Sequence, residues 1–359
     1  MYQGRIKTPF DLIKQPWLDF ERYISFVLYL LLKKVVTARK RPVIVNKILL
    51  IRRNRLGDAV NVLPIIRGIK QFQPKVEIHV LASRYNASIF RCCPYVDKVH
   101  CIDEQWLLGK ATLFMHPVIL SLRRESFDLV IGLGGYSSVL AQLVLWVKGK
   151  FNVAVISKKG TFYDLAFDNG VTELSISDRH HVEDMAHIVR NAGLLLPDRL
   201  PDTLMVSNSI KQENWLAICP DVKRMESQYP IEKYADVVEQ LLRSNEVDRV
   251  VVFTENSKSP YLELEKYGAQ WCPTGNVEEF IQKLSQCHWA ITAEGGSAHI
   301  AGALGLGVIV LSGMGHQAYW RPYAKHVRIL EKKNAIQAVQ ANEIISEFRK
   351  LKTLMKDCD

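Results

Sequence analysis

The sequence predicts an α/β protein made of two doubly wound units. Three observations carry this. From residue 46 onward, short β-rich runs alternate with helical stretches. The alternation lapses between 158 and 210, and a second alternating series opens at WLAICP (215–220). Strands separated by helices imply parallel sheets covered on both faces. The 359 residues suit two domains of ordinary size.

KILLIRR (47–53) reads as a buried strand and is followed by a helix from about Asp58 to Phe72. VEIHVLA (76–82), KVHCID (98–103), DLVIGL (128–133) and FNVAVIS (151–157) are the further strands of the first series. In the more polar stretch, SDRHHVEDMAHIVRNAG reads as one helix ended by Gly193, and LLLPDRLPD with its two prolines reads as a linker. The second series continues with a helix near 231–244, RVVVFT (249–254), a helix near 276–287, WAITA (289–293), a helix from about Ser297 and VIVLSG (308–313). From Asn334 to Lys352 the pattern is helical. The expected division is a basic N-terminal segment (1–45), a first α/β domain (46–170), a linker region (171–210), a second α/β domain (211–330) and a C-terminal helix (331–359).

Composition narrows the function. Hydrophobic residues at 48% and charged residues at 23% exclude wholesale disorder, a collagen-like chain and a polytopic membrane protein. Lys plus Arg exceeds Asp plus Glu by 47 to 37, a net charge of +10 that favours anionic partners. Basic residues are not interleaved with aromatics as in nucleic-acid modules, so no nucleic-acid partner is expected. The seven cysteines are scattered and show no CxxC spacing, which speaks for plain thiols in a reducing compartment rather than a disulfide framework or zinc ribbon. No cleavable signal peptide is evident.

The segment Trp17 to Arg41 places Trp17, Phe20, Ile24, Val27, Leu28, Leu31 and Val35 at helical spacing. Its continuous apolar core, Ile24 to Leu32, is shorter than the roughly 20 residues a bilayer span needs. Lys33, Lys34, Arg39, Lys40 and Arg41 follow. Two readings stand: a helix lying on an anionic membrane surface, and a helix packed on the domain with solvated charges.

In doubly wound sheets, ligands gather beyond the carboxyl ends of strands, at helix N-termini. The first such loop holds Arg52, Arg53, Arg55, Gly57 and Asp58. Asp58 reads either as a helix cap or as a carboxylate able to take a proton from a hydroxyl, with the arginines holding an anionic substrate. The loop after WAITA is Thr292-Ala293-Glu294-Gly295-Gly296-Ser297-Ala298-His299. Its free N–H groups and helix dipole suit a phosphate, Glu294 suits sugar hydroxyls, and the plain alternative is a turn capped by Ser297. Gly313-Met314-Gly315 suits the border of a nucleobase or a simple surface turn. After WLAICP, Lys223 and Arg224 are either diphosphate-neutralising or merely solvated.

Other chemistries fail on spacing. GLGGYSS (132–138) has Ser137 where a dinucleotide fingerprint needs its third glycine. There is no GxxxxGK[ST] phosphate loop and no GxSxG elbow. His180, Glu183 and His187 share a helix face but lack a third strong ligand, so they read as surface or linker-packing residues and no metal is expected.

Two runs carry a family resemblance. ILLIRRNRLGDAVNVLPIIRGIKQFQPKVEIHVLASRYNASIF with CCPYVDKV resembles the N-terminal signature of glycosyltransferase family nine, the ADP-heptose:lipopolysaccharide heptosyltransferases and their relatives. ITAEGGSAHIAGALGLGVIVLSGMGHQAYWRPY resembles its C-terminal signature. The likeness spans about residues 47 to 330. It implies a GT-B fold, two Rossmann-like domains with an interdomain cleft, and inverting transfer of a heptose from ADP-heptose to the lipopolysaccharide inner core. It further implies a Kdo- or heptose-terminated lipid acceptor, no cofactor or tightly bound metal, and a peripheral place on the cytoplasmic face of the inner membrane. By position, Asp58 is the implied general base and Arg52, Arg53 and Arg55 the acceptor contacts. Glu294, Gly295, Gly296, Ser297 and His299 are the implied donor contacts, and the loop readings add Lys223, Arg224 and Met314 to them. Two departures stand out. Glu294 replaces the usual aspartate, and Ser227 occupies the usual lysine position before Tyr229-Pro230, so Lys223 and Arg224 are the expected substitutes. The alternatives are a different nucleotide-sugar donor and a non-catalytic nucleotide-sugar-binding protein at the membrane.

Overall fold

The computed structural model describes residues 23–24, 26–36, 38–53, 55–103, 116–172, 179–207, 209–222, 224, 227–254 and 257–356. Its strands form two six-stranded sheets. The first contains β1 (Lys47–Ile51), β2 (Glu77–Ser83), β3 (Lys98–Ile102), β4 (Leu129–Gly132), β5 (Phe151–Val155) and β6 (Asn169–Val171), in the order β3-β2-β1-β4-β5-β6. The second contains β7 (Trp215–Cys219), β8 (Arg249–Val252), β9 (Ala269–Trp271), β10 (Trp289–Ala293), β11 (Gly307–Ser312) and β12 (Val327–Glu331), in the order β12-β11-β10-β7-β8-β9. Pairing is parallel, with Leu49 opposite Val130 and Ile291 opposite Ile218. Both sheets follow one plan. The first strand of each lies beside its fourth, and the order reverses there, which marks the loops after β1, β4, β7 and β10 as ligand loops.

The helices are α1 (Leu56–Val60), α2 (Leu63–Phe72), α3 (Ala87–Arg91), α4 (Pro117–Arg124), α5 (Ser138–Val147), α6 (His181–Asn191), α7 (Ile231–Arg243), α8 (Val277–Leu284), α9 (Gly296–Ala303), α10 (Gln317–Trp320) and α11 (Ala341–Lys356). By compactness the chain divides into two units. One holds Met1–Ile51, Glu104–Leu174 and His187–Leu194; the other holds Arg52–Asp103, Ser175–Ala186 and Leu195–Asp359. After Lys47, β1 is apolar, and Ile48, Leu49 and Leu50 are fully buried. In the second sheet, Leu216, Ile218, Ile291 and Ile309 pack with Tyr234, Val237, Val238 and Leu241 of α7 and Phe348 of α11. The spacing of those four α7 residues is the apolar stripe of an amphipathic helix.

The structure differs from the sequence-based expectation in three places. The helix expected from Asp58 to Phe72 is two helices, with Asn61 and Val62 between them. Pro64 explains the break: it lacks an N–H and fits only the first turn of a helix, so α2 must start beside it. The tail expected to be helical from Asn334 has Asn334 at φ 55, a short 3-10 turn over Ile336–Ala338, and a helix only from Ala341. Finally, β6, β9 and β12 join the sheets outside the expected strands. β6 and β9 have three residues each, too few to show a period. Ser137, which breaks the dinucleotide fingerprint, caps α5 by accepting from Leu140 N.

Of the N-terminal segment, residues 17–22 lie outside the described residues. Helical turns cover 23–24 and 26–32. Ile24, Leu28, Leu31 and Val35 of the expected apolar face are exposed, as are Tyr23 and Phe26. Tyr29 instead turns inward and its ring covers Gly160, at φ 78. The basic cluster divides. Arg39 donates to Asp168 at 2.7 and 3.0 Å, and Arg41 donates to the carbonyls of Ala192 and Gly193 at 2.7 and 2.8 Å. Lys33, Lys34 and Lys40 stay exposed. Among the described residues no helix is long and apolar enough to cross a membrane. Cys92, Cys93, Cys101, Cys219, Cys272 and Cys287 are free thiols, while Cys358 lies outside the described residues. Burial pushes Cys93 up to about 11 and Cys287 up to about 12, which leaves them without nucleophilic character at neutral pH.

Candidate active site

The loop after β1 leads straight into α1, whose first turn carries Asp58. Arg55 stands at the cap position and makes no side-chain cap bond. Asp58 is not used as a cap either: its Oδ2 lies 3.0 Å from Arg52 Nη2, and its side chain keeps 19% of its surface exposed. Arg52 is buried and its carbonyl accepts from Asn86 Nδ2 at 3.2 Å. Burial lowers the Arg52 pKa, and Asp58 opposes that shift. Arg53 is half-buried and Arg55 exposed.

α1 rests on α9 through two glycines. A Cβ on Gly57 would stand 2.8 Å from His299 Cδ2, and one on Gly296 would stand 2.9 Å from Leu56 Cβ. Those distances are inside van der Waals contact, so any side chain at either glycine would force the helices apart. The glycines thereby bring the Gly-Asp turn and the Glu-Gly-Gly turn together within one compact unit. Gly295, at φ 151, caps the start of α9, with nothing within 4 Å of where its Cβ would be. Burial pushes His299 down to about 4, against a backbone hydrogen bond at Trp320, and among the described residues its Nδ1 has no hydrogen-bond partner.

Behind Arg52 runs a chain of buried polar groups. His181 Nε2 is 3.3 Å from Arg52 Nη2, His181 Nδ1 is 3.0 Å from the Tyr319 hydroxyl, and that hydroxyl donates to Asp184 Oδ2 at 2.7 Å. Arg179 pairs with the other Asp184 oxygen at 3.0 Å. Burial, then the charges of Arg52 and His180, push His181 down to about 3. Burial and Asp184 raise Tyr319. His180, expected at the surface or in linker packing, is buried; its Nε2 donates to Arg321 O at 2.7 Å and its Nδ1 accepts from Val182 N at 3.1 Å. His187 is exposed.

Glu294 is buried, and both its oxygens are engaged. Ser227 donates to Oε1 at 2.7 Å; Ser312 donates to Oε2, as do Met314 N at 3.3 Å and Gln317 Nε2 at 3.5 Å. This carboxylate ties the loops after β7, β10 and β11 to one another. Arg224 is exposed on the β7 loop; Lys223 lies outside the described residues. The structure thus gathers Arg52, Asp58, Gly295, Gly296 and His299. Sequence reasoning missed His181, Asp184, Ser312, Gln317 and Tyr319. The one signal for His181 and Asp184 was their i, i+3 spacing, which places them on one face of α6.

The match to known proteins fits this geometry. The model of glycosyltransferase family 9 (heptosyltransferase) matches residues 115–347. The chain belongs to glycosyltransferase family 9. It is a glycosyltransferase of the heptosyltransferase-like family, and its two parallel sheets are a GT-B fold. The family match starts after the Gly57-Asp58 turn. A Haemophilus influenzae protein named as a glycosyltransferase is 26% identical over 147 residues, which is 40% of each chain. Among solved structures, Escherichia coli ADP-heptose lipopolysaccharide heptosyltransferase II has a TM-score of 0.70 at 16% identity, covering 86% of this chain and 99% of that one. An Escherichia coli heptosyltransferase with ADP has a TM-score of 0.70 at 16% identity, covering 85% of this chain and 99% of that one. At these identities the two structures show that the chain shares their fold.

Proposed function

We propose that the protein transfers a heptose, with inversion, from ADP-heptose to the Kdo- or heptose-terminated inner core of lipopolysaccharide. The observation that carries this reading is the seating of α1, whose first turn holds Asp58, on α9, which the Gly295-Gly296 turn opens. An acceptor hydroxyl gives its proton to Asp58 as its oxygen attacks the anomeric carbon. The new C–O bond forms as the bond from that carbon to the diphosphate breaks, and ADP leaves with the electron pair. The N–H groups of Gly295 to Ser297 and the N-terminal dipole of α9 stabilise the departing charge, with Lys223 and Arg224 as the neutralising cations. Arg53 and Arg55 face anionic groups of the acceptor, and Met314 borders the base. The E. coli relatives named above, one an ADP-heptose enzyme and one holding ADP, support the choice of donor.

The exposed apolar residues Tyr23, Ile24, Phe26, Leu28 and Leu31, with Lys33, Lys34 and Lys40, support a peripheral seat on the anionic cytoplasmic face of the inner membrane, where the lipid acceptor is embedded. The test is ADP release on mixing the protein with ADP-heptose and core-truncated lipopolysaccharide, beside a panel of other nucleotide sugars. Release with ADP-heptose supports the reading. Release with another donor only would replace the sugar, and none with any donor would reject transfer.

A further inference from the structure

The buried chain behind Asp58 allows one set of proton positions. Asp184 is fully buried, and a carboxylate paired with Arg179 can only accept. The Tyr319 hydroxyl, 2.7 Å from Asp184 Oδ2, therefore directs its proton there. Its oxygen is left to accept, and the group 3.0 Å away is His181 Nδ1, so Nδ1 carries the ring hydrogen. Nε2 is then a bare lone pair, and it faces Arg52 Nη2 at 3.3 Å. A guanidinium has only donors. The two hydrogens on Nη2 thus go to His181 and to Asp58 Oδ2, the latter at 3.0 Å.

We propose that His181, fixed in its Nδ1–H tautomer by Tyr319 and Asp184, is a positioning residue that aims the Arg52 guanidinium at Asp58. This rests on the reading of Asp58 as the base. In the opposite tautomer an N–H would point at the N–H of Arg52, and two donors in contact repel. Arg52 would then lose its contact with His181, and Asp58 the orientation that this contact gives it. Protonation would do the same by setting two cations together, and burial opposes it. The orientation of a base matters most while the proton moves, so the loss falls on kcat rather than on KM.

The test uses full-length protein with ¹⁵N-labelled histidine. Two-bond ¹H–¹⁵N spectra report the tautomer, and His181→Gln identifies the His181 signals by their loss. Wild type is expected to show Nδ1–H. In Asp184→Asn, Arg179 keeps the amide oxygen, so the amide NH₂ donates to Tyr319. Tyr319 must then donate to His181 Nδ1, and the ring hydrogen moves to Nε2. Tyr319→Phe, which leaves no new buried donor, serves if the first variant does not fold, and is expected to show both tautomers. In whichever variant folds, kcat for ADP release from ADP-heptose should fall about tenfold or more, with the donor KM within about twofold. An Nε2–H wild type overturns the proposal. So does an inverted tautomer with unchanged kcat, or a fall confined to KM. If wild type releases no ADP, the donor and acceptor reading fails by itself, while the spectra still decide how His181 is held.

Discussion

Asp58 and Glu294 are both carboxylates placed after a strand, and their surroundings set them apart. Asp58 is partly exposed and gives one oxygen to Arg52; Glu294 is buried and accepts from Ser227, Ser312, Gln317 and the Met314 amide. A residue with open surface can meet a hydroxyl. One that gathers three loops bears on stability, and Glu294→Leu leaves several buried donors without an acceptor. It is expected to lower the unfolding free energy by about 3 kcal/mol, read by urea denaturation; a loss within experimental error would contradict this. At Gly57 the issue is space. Gly57→Ala puts a methyl 2.8 Å from the buried His299 ring, so α1 and α9 must part. The expected cost is about 1–3 kcal/mol with a parallel fall in kcat/KM, and a variant with wild-type values for both would mean that the helices do not need this contact. The roles of Asp58 and the two glycine turns were legible as local motifs. That of His181 was not, because its meaning depends on Tyr319, 138 residues further along the chain.

Elements were legible where the apolar period was long and illegible where it was short or interrupted. β1, β7, β10 and α7 stand close to where the pattern puts them. Pro64 divided a helix that periodicity alone runs together, and strands of three residues carry no period at all. The N-terminal helix shows a further limit: pattern finds an apolar face but not what faces it. Ile24, Leu28 and Leu31 meet solvent, whereas Tyr29 anchors on Gly160, and Arg39 and Arg41 fasten the following segment to Asp168 and to the carbonyls of Ala192 and Gly193. The apolar residues are thus presented on a strap whose far end is pinned. Removing residues 1–36, which spares both arginines, is expected to abolish sedimentation with anionic lipid vesicles while leaving the melting temperature within a few degrees. Equal sedimentation of the shortened protein would show that this helix is not the membrane contact.

At the scale of the molecule, His181 and His299 lie near one ion pair and His180 lies near both of them, and these three buried rings set a pH dependence. Burial pushes His180 and His299 down to about 4 and His181 down to about 3, from the ordinary 6.5. Below about pH 6.5 the unfolded chain takes up protons on all three, while the folded protein refuses them until about pH 4. The unfolded state then binds more protons, so the stability these histidines confer is whole above about 6.5 and declines as pH falls towards 4. Each contributes at most about 1.4 kcal/mol per pH unit in that window. The melting temperature should therefore be lower at pH 5 than at pH 7.5; an equal or higher value at pH 5 would mean that these rings are protonated in the fold. The doubly wound plan was legible from alternation, and the ligand loops followed from it, since both sheets reverse order beside their first strand. The packing of α1 on α9 was not legible, because each glycine carries only half of that contact. The account turns on the carboxylate this contact presents, so the most direct measurement is the turnover of Asp58→Ala with ADP-heptose and core-truncated lipopolysaccharide. A fall of about 10²–10⁴-fold is predicted in a variant that still folds, at a lower melting temperature because the buried Arg52 loses its carboxylate partner, and turnover equal to wild type would contradict it.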